Sequence, residues 1–370
     1  MQKKIIALAI AGLASTAAFA QSNVTVYGVV DVYGGNFRSN GDTANAINQG
    51  GLQGNRLGFK GVEDLGGGTK ALFTIEYAVA TDRNDNLGGS VTGTTFTRQA
   101  FVGATGSFGT AIAGRLQTLV YNHNAAYNPT FGTAVDTLNN VASRLNATNL
   151  PGAGANVARA TNNAMGTQER LDNAVAYVSP SFGGLVLSGA YTTSAAAAEG
   201  EVQTANQITA GELAADYKVG AFSVGAVVRK ANYAGTVGNL GTQVGASYDF
   251  GVAKVMGTLG TQANDGDTGA RDTAGDSRVN VSNLAAVVPF GNGALIASLG
   301  KGSHAASDTT LTTSALVYKH SLSKRTSVYG GIANAKSDGA ANSIGANLGG
   351  LTSGLQGNVT GVLAGINHNF

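Results

Sequence analysis

The stretch Val362-Leu363-Ala364-Gly365-Ile366-Asn367-His368-Asn369-Phe370 alternates up to its last residue. Val362, Ala364, Ile366, His368 and Phe370 form one set, and Leu363, Gly365, Asn367 and Asn369 the other. A period of two that ends on an aromatic suits the final strand of an antiparallel barrel set in a membrane. The other end of the chain agrees. Lys3 and Lys4 precede an apolar run from Ile5 to Ala14, and Ala18-Phe19-Ala20 has the small-x-small form of a signal-peptidase site. We therefore expect residues 1–20 to be an export signal and residues 21–370 to be one β-barrel.

Composition narrows the classes. Removing residues 1–20 takes away two lysines, so the 23 Lys+Arg fall to 21 and balance the 21 Asp+Glu. A nucleic-acid partner would want a basic excess, which the remaining chain lacks. Cysteine is absent, which excludes disulfides and thiolate chemistry. Glycine is abundant at 55 and proline rare at 4, a balance that suits tight turns and closely packed strands. Beyond residue 20 no apolar run is long enough for a spanning helix, so any crossing must use strands of a closed sheet.

The alternation recurs along the chain. Ala71, Phe73, Ile75, Tyr77 and Val79 oppose Lys70, Thr74 and Glu76. Leu213, Ala215, Tyr217 and Val219 oppose Glu212, Asp216 and Lys218. Leu240, Thr242, Val244, Ala246, Tyr248 and Phe250 oppose Gly241, Gln243, Gly245, Ser247 and Asp249. Aliphatics on one face and charges on the other match a wall with lipid outside and water inside. Sixteen candidate strands start near residues 24, 51, 70, 94, 110, 169, 185, 208, 222, 240, 252, 278, 294, 310, 326 and 358. Short connections alternate with long ones near 37–50, 81–93, 118–168, 194–207, 263–277 and 336–356. Phe-Gly recurs at Phe108-Gly109, Phe182-Gly183, Phe250-Gly251 and Phe290-Gly291, each at an expected short turn. Those rings would form an aromatic girdle at one interface.

Several segments together resemble Gram-negative general porins of the betaproteobacterial type. They are Val24–Asp31, Asn55–Gly61 with Glu63–Gly68, Arg98–Gly103, Gly106–Gly109 with Gly114-Arg115, Ser179–Gly184 and Leu322–Thr326. The resemblance implies an all-β, 16-stranded transmembrane barrel with an inward-folded third loop. It further implies a homotrimer in the outer membrane that passes small hydrophilic solutes and ions. Ala176, Asn367 and Asn369 stand where that family often carries arginine, so we expect only weak-to-moderate anion preference.

The longest connection, Thr118–Gln168, becomes the constriction loop in this reading, and Asn128–Gly132 resembles the family's Pro-Phe segment there. Parity puts Arg56 and Lys60 on one face, opposite Leu57 and Phe59, with Arg98 and Arg115 on nearby strands. An arginine facing lipid at mid-depth costs roughly 2–4 kcal/mol, which favours inward positions for all of them. We expect Arg56, Lys60, Arg98 and Arg115 to form a basic side facing Asp136 on the loop, or else to brace the wall through Glu76 and Asp31. Phe370 is the expected assembly signal, read by the barrel-insertion machinery.

Asp265, Asp267, Asp272 and Asp276 crowd one loop but lack full calcium-loop spacing, and the four histidines have no metal spacing. No metal or other cofactor is expected, and no nucleophile–base pair at recognisable spacing points to an enzyme. Expected partners are a second and third copy of the chain, outer-membrane lipid with lipopolysaccharide, and the permeating solutes. A barrel with a closed lumen that binds surfaces through its loops is the alternative.

Overall fold

The computed structural model describes residues 23–39, 42–82, 97–138, 170–193, 208–233, 238–264, 278–305, 309–338 and 358–370. The expected export signal, the acidic loop 265–277 and the remainder of the long loop beyond residue 138 lie outside them. The strands are β1 (Asn23–Ser39), β2 (Asp42–Gln49), β3 (Arg56–Gly66), β4 (Thr69–Ala78), β5 (Thr97–Gly106) and β6 (Gly109–Gln117). A helix, α1 (Leu119–Tyr127), follows, and then β7 (Arg170–Val178), β8 (Leu185–Thr192), β9 (Ile208–Val219) and β10 (Phe222–Tyr233). The chain continues through β11 (Asn239–Asp249), β12 (Lys254–Asn264), β13 (Val279–Phe290), β14 (Gly293–His304), β15 (Thr309–Ser321), β16 (Thr326–Asp338) and β17 (Val359–Asn369).

Apart from β2 and β3, consecutive strands pair antiparallel, and β1 pairs with β17, so the sheet closes. Val29 stands opposite Asn369 and Ser39 opposite Val359. Seventeen segments make sixteen staves, because β2 and β3 lie end to end against β1. This corrects one expectation. Residues 37–50 are not a long loop: β1 runs on to Ser39 and β2 returns along it. The irregular stretch falls at residues 50–55, between Gln49 opposite Val32 and Arg56 opposite Val29.

Alternation decides the two faces. Val244, Leu259, Leu284, Leu299, Ile332 and Ile366 are at least 47 % exposed on the outer wall, while Gln243, Thr258 and Asn367 are 2 % exposed or less on the inner one. The Phe-Gly turns carry exposed rings, and Gly109, Gly183, Gly251 and Gly291 have φ of 101°, 62°, 80° and 57°, where a Cβ would be strained. The Phe-Gly turns all lie at one end, the periplasmic side of such a barrel.

The inner face is polar except where the segment after β6 lies against it. Three buried apolar clusters mark its seats. Leu119 and Val120 pack with Leu116, Leu171, Val227 and Ala231. Val135 packs with Tyr33, Phe37, Val317, Tyr329 and Leu363. Leu138 packs with Val279, Val281 and Leu311. Burying such a side chain contributes roughly 1.5–3 kcal/mol, so these anchors hold the loop folded into the lumen.

Candidate functional site

The loop enters the barrel through α1. Thr118 caps it, its side chain accepting from the Tyr121 N–H at 2.9 Å. The Glu212 carboxylate on β9 accepts from the Leu119 N–H at the positive helix end, and Arg229 on β10 donates to that carboxylate at 3.1 Å. Both members of this ion pair are fully buried. Eight residues on, the Tyr127 hydroxyl meets Ser223 at 3.0 Å, and the Tyr127 ring covers Gly225 and Gly245, where any side chain would collide with it. His123 lies one helical turn from each anchor. It is 4 % exposed, and neither ring nitrogen has a hydrogen-bond partner among the described residues. Burial alone pulls its pKa down to about 4.

Past the helix the loop is pinned at its tip and far side. The Ala134 N–H donates to Gly51 O at 3.3 Å. Thr137 meets Ser298 at 2.6 Å and accepts from Asn283 Nδ2 at 2.7 Å, and its carbonyl accepts from Thr313 at 2.7 Å.

Asp136 is 2 % exposed, and its carboxylate turns into its own loop. Its Oδ1 accepts from Asn128 Nδ2 at 2.8 Å and the Leu138 N–H at 3.1 Å; its Oδ2 accepts from the Gly132 N–H at 2.7 Å. The expectation that Asp136 presents a carboxylate across the lumen thus meets a different geometry, in which the group shapes the loop tip. Within residues 118–138 the exposed side chains are uncharged, among them Asn122, Ala125 and Ala126.

Across β3 to β7 stand the cations. Arg98 Nε donates to Glu76 at 2.7 Å, and Arg56 reaches the other oxygen of that carboxylate at 3.9 Å. Tyr27 also donates to Glu76, at 3.0 Å, and its ring lies under Lys60 Nζ at 5.2 Å. Arg115 pairs with Asp172 and donates to Thr97 O. The sequence reading missed Arg170, whose guanidinium stacks 4.6 Å from the Tyr121 ring centroid and donates to Arg98 O at 2.6 Å. Tyr121 also sits 3.5 Å from Arg98, and its ring meets Phe131 edge-on at 4.8 Å. The loop and the arginine wall therefore touch at Tyr121.

Asp31 was a candidate brace for the arginines, but its partners lie elsewhere. Its carboxylate accepts from the N–H groups of Gly51, Leu52 and Gln53, each at 3.0 Å, from the Tyr329 hydroxyl and from Asn367 Nδ2. The break at 50–55 is an amide nest wrapped around one buried carboxylate. Phe370 exchanges both backbone hydrogen bonds with Gly28. No group of three or more metal-ligating side chains occurs among the described residues.

Comparison with known proteins agrees with this architecture. The family described as Gram-negative porin matches residues 7–340. Outer membrane porin protein 32 of Delftia acidovorans is 31 % identical over the full length of both chains. Major outer membrane protein P.IB of Neisseria gonorrhoeae is 35 % identical over 137 residues, 35 % of this chain and 36 % of that one. Among solved structures, an anion-selective porin from Comamonas acidovorans superposes with a TM-score of 0.76 at 28 % identity, covering 95 % of this chain and all of the other. Salmonella typhi OmpF shares the fold with a TM-score of 0.62 at 16 % identity, covering 94 % of this chain and 98 % of the other.

Proposed function

The chain belongs to the Gram-negative porin family, and on that premise we propose that its water-filled outer-membrane channel favours small hydrophilic anions. One observation carries the preference. Arg56, Lys60, Arg98, Arg115 and Arg170 stand on one side, where Glu76 and Asp172 pair with them among the described residues, while the facing loop exposes no charge over residues 118–138. In a narrow passage, a predominantly basic wall attracts anions and raises the barrier to cations. Pairing with Glu76 and Asp172 offsets part of that field, so the preference is moderate. Asp136 acts through the shape of the loop, holding its tip beside the wall.

A transverse field between opposed charges would need an exposed carboxylate on the loop; the buried Asp136 favours a one-sided basic field instead. The name of the Comamonas protein, an anion-selective porin, supports the same direction. We further propose that residues 1–20 are removed on export and that three copies assemble in the membrane. On this reading the outer wall contacts outer-membrane lipid and lipopolysaccharide, and Phe370 serves recognition by the insertion machinery.

The deciding measurement is the reversal potential of the purified channel in a planar bilayer under a KCl gradient. A potential set mainly by chloride supports the proposal. A potential of zero, or one set by potassium, overturns the preference while leaving the channel itself intact.

A further inference from the structure

We propose that the outer wall over β13–β16 holds one phosphorylated lipid of the outer leaflet, with Lys301 and Lys336 gripping its phosphate and a groove beneath them taking an acyl chain. The proposal rests on the outer-membrane reading above and concerns the face of the barrel away from the pore.

The sheet register lines up four residues across neighbouring strands. Ser282 stands opposite Lys301, Lys301 opposite Thr312, and Thr312 opposite Lys336. Alternation turns this row outward. Gly300, Gly302, Ala335 and Ser337 on either side of the lysines are buried inside the barrel, and both lysines are exposed. Two strand spacings separate the lysines, about 9–10 Å along the wall. Two long side chains at that spacing can close on one phosphate group.

A lysine facing the middle of a bilayer costs roughly 2–4 kcal/mol, but near the interface the cost falls to about 0–1 kcal/mol. This row lies toward the strand ends opposite the short turns, where hydrocarbon gives way to headgroups. Asp338 lies 3.4 Å from Lys336, with both side chains more than half exposed. Exposed pairs of this kind are weak, so a doubly charged phosphate can displace the carboxylate.

Below the lysines the wall turns apolar and hollow. One pleat repeat down, Leu299, Ser314 and Asn334 share a row. The next row joins Ala286, Ala297, Leu316 and Ile332. Small side chains at Ala286, Ala297 and Ser314 sink a groove of about 570 Å³ between the larger Leu284, Leu299, Leu316 and Ile332. A basic head above an apolar furrow complements a lipid with an anionic headgroup.

The test is native mass spectrometry of the intact oligomer in detergent, titrated with diphosphoryl lipid A, with the same lipid dephosphorylated, and with inorganic phosphate. The parent should bind the phosphorylated lipid saturably and the dephosphorylated one far more weakly. Lys301→Gln and Lys336→Gln should each weaken the phosphorylated lipid about fivefold, and together about 30-fold. Lys301→Arg with Lys336→Arg should keep binding. Ala297→Leu, which fills the furrow and leaves the lysines, should weaken both lipids. Inorganic phosphate alone should not saturate at concentrations where the lipid does.

Equal binding of the two lipids, or lipid binding unchanged in the double glutamine variant, overturns the proposal. Loss of the oligomer in that variant with lipid binding unchanged also overturns it, in favour of a protein contact on this face. Bilayer conductance of the double glutamine variant should match the parent. A parent that fails to conduct would defeat the channel reading instead.

Discussion

The ring of Phe370 lies in the space that a side chain on Gly28 would need, and the two residues donate to each other's carbonyls at 3.1 Å in both directions. The last residue is thus a paired member of the closing seam, and its ring remains 44 % exposed on the outer wall.

Deleting Phe370 removes both the ring and the terminal pair of hydrogen bonds. We expect less heat-modifiable oligomer in the outer-membrane fraction. Gly28→Val keeps Phe370 but displaces its ring, and should give an intermediate yield. Parent-like yields from both variants would remove Phe370 from assembly.

Asp136→Asn replaces an acceptor of three hydrogen bonds with an amide that offers one oxygen. Each lost buried partner costs about 1–3 kcal/mol, concentrated at the loop tip. The expected result is a wider or noisier channel in single-channel recordings, with little change in barrel melting. A clean shift of selectivity toward anions at unchanged conductance would instead show that Asp136 acts as a charge facing the lumen.

Arg115→Gln and Arg170→Gln each remove one cation from the wall. The reversal potential in a KCl gradient should move toward cations, by more for the double variant than for either alone. Arg98→Gln is a harsher change, since it leaves Glu76 with a single arginine 3.9 Å away. That variant should both shift the potential and lower stability. Unchanged potentials in all three would place the narrowest point elsewhere.

His123 gives the loop a pH response. Its pKa lies near 4 when seated, against about 6.5 when exposed. Protons therefore favour the unseated form. The seat is unaffected above pH 6.5, weakens as pH falls from 6.5 to 4, and loses roughly 3 kcal/mol by the lower limit. The charged groups on the strands beneath, Glu212, Asp216 and Arg229, are part of the same seat. Conductance should become more variable across this window, and His123→Gln should flatten the response between pH 6.5 and 5.

The wall was legible in the sequence because lipid and water impose opposite residue types on alternate positions. Val244 against Gln243 and Leu213 against Glu212 show the rule at work. Asp31 was not legible. Its partners are three backbone amides and two side chains lying 298 and 336 positions away, and neither kind leaves a local pattern. The helix escaped because its buried positions mix Leu119 and Val120 with His123 and Asn124, so apolar periodicity is weak. Arg170 was passed over although alternation back from the exposed Val175 turns it inward; its stacking partner Tyr121 sits on the helix that apolar periodicity did not reveal.

Several of the contacts that seat the inserted loop come from residues far along the chain. Leu119 is held by Glu212, 93 positions later, and Thr137 by Ser298 and Thr313, 161 and 176 positions later. Contacts so distant form late, because the intervening chain must be ordered first. The waist of the channel therefore waits for the strands that seat it. A half-built sheet has walls but no selectivity, and the filter exists only once the vessel is whole.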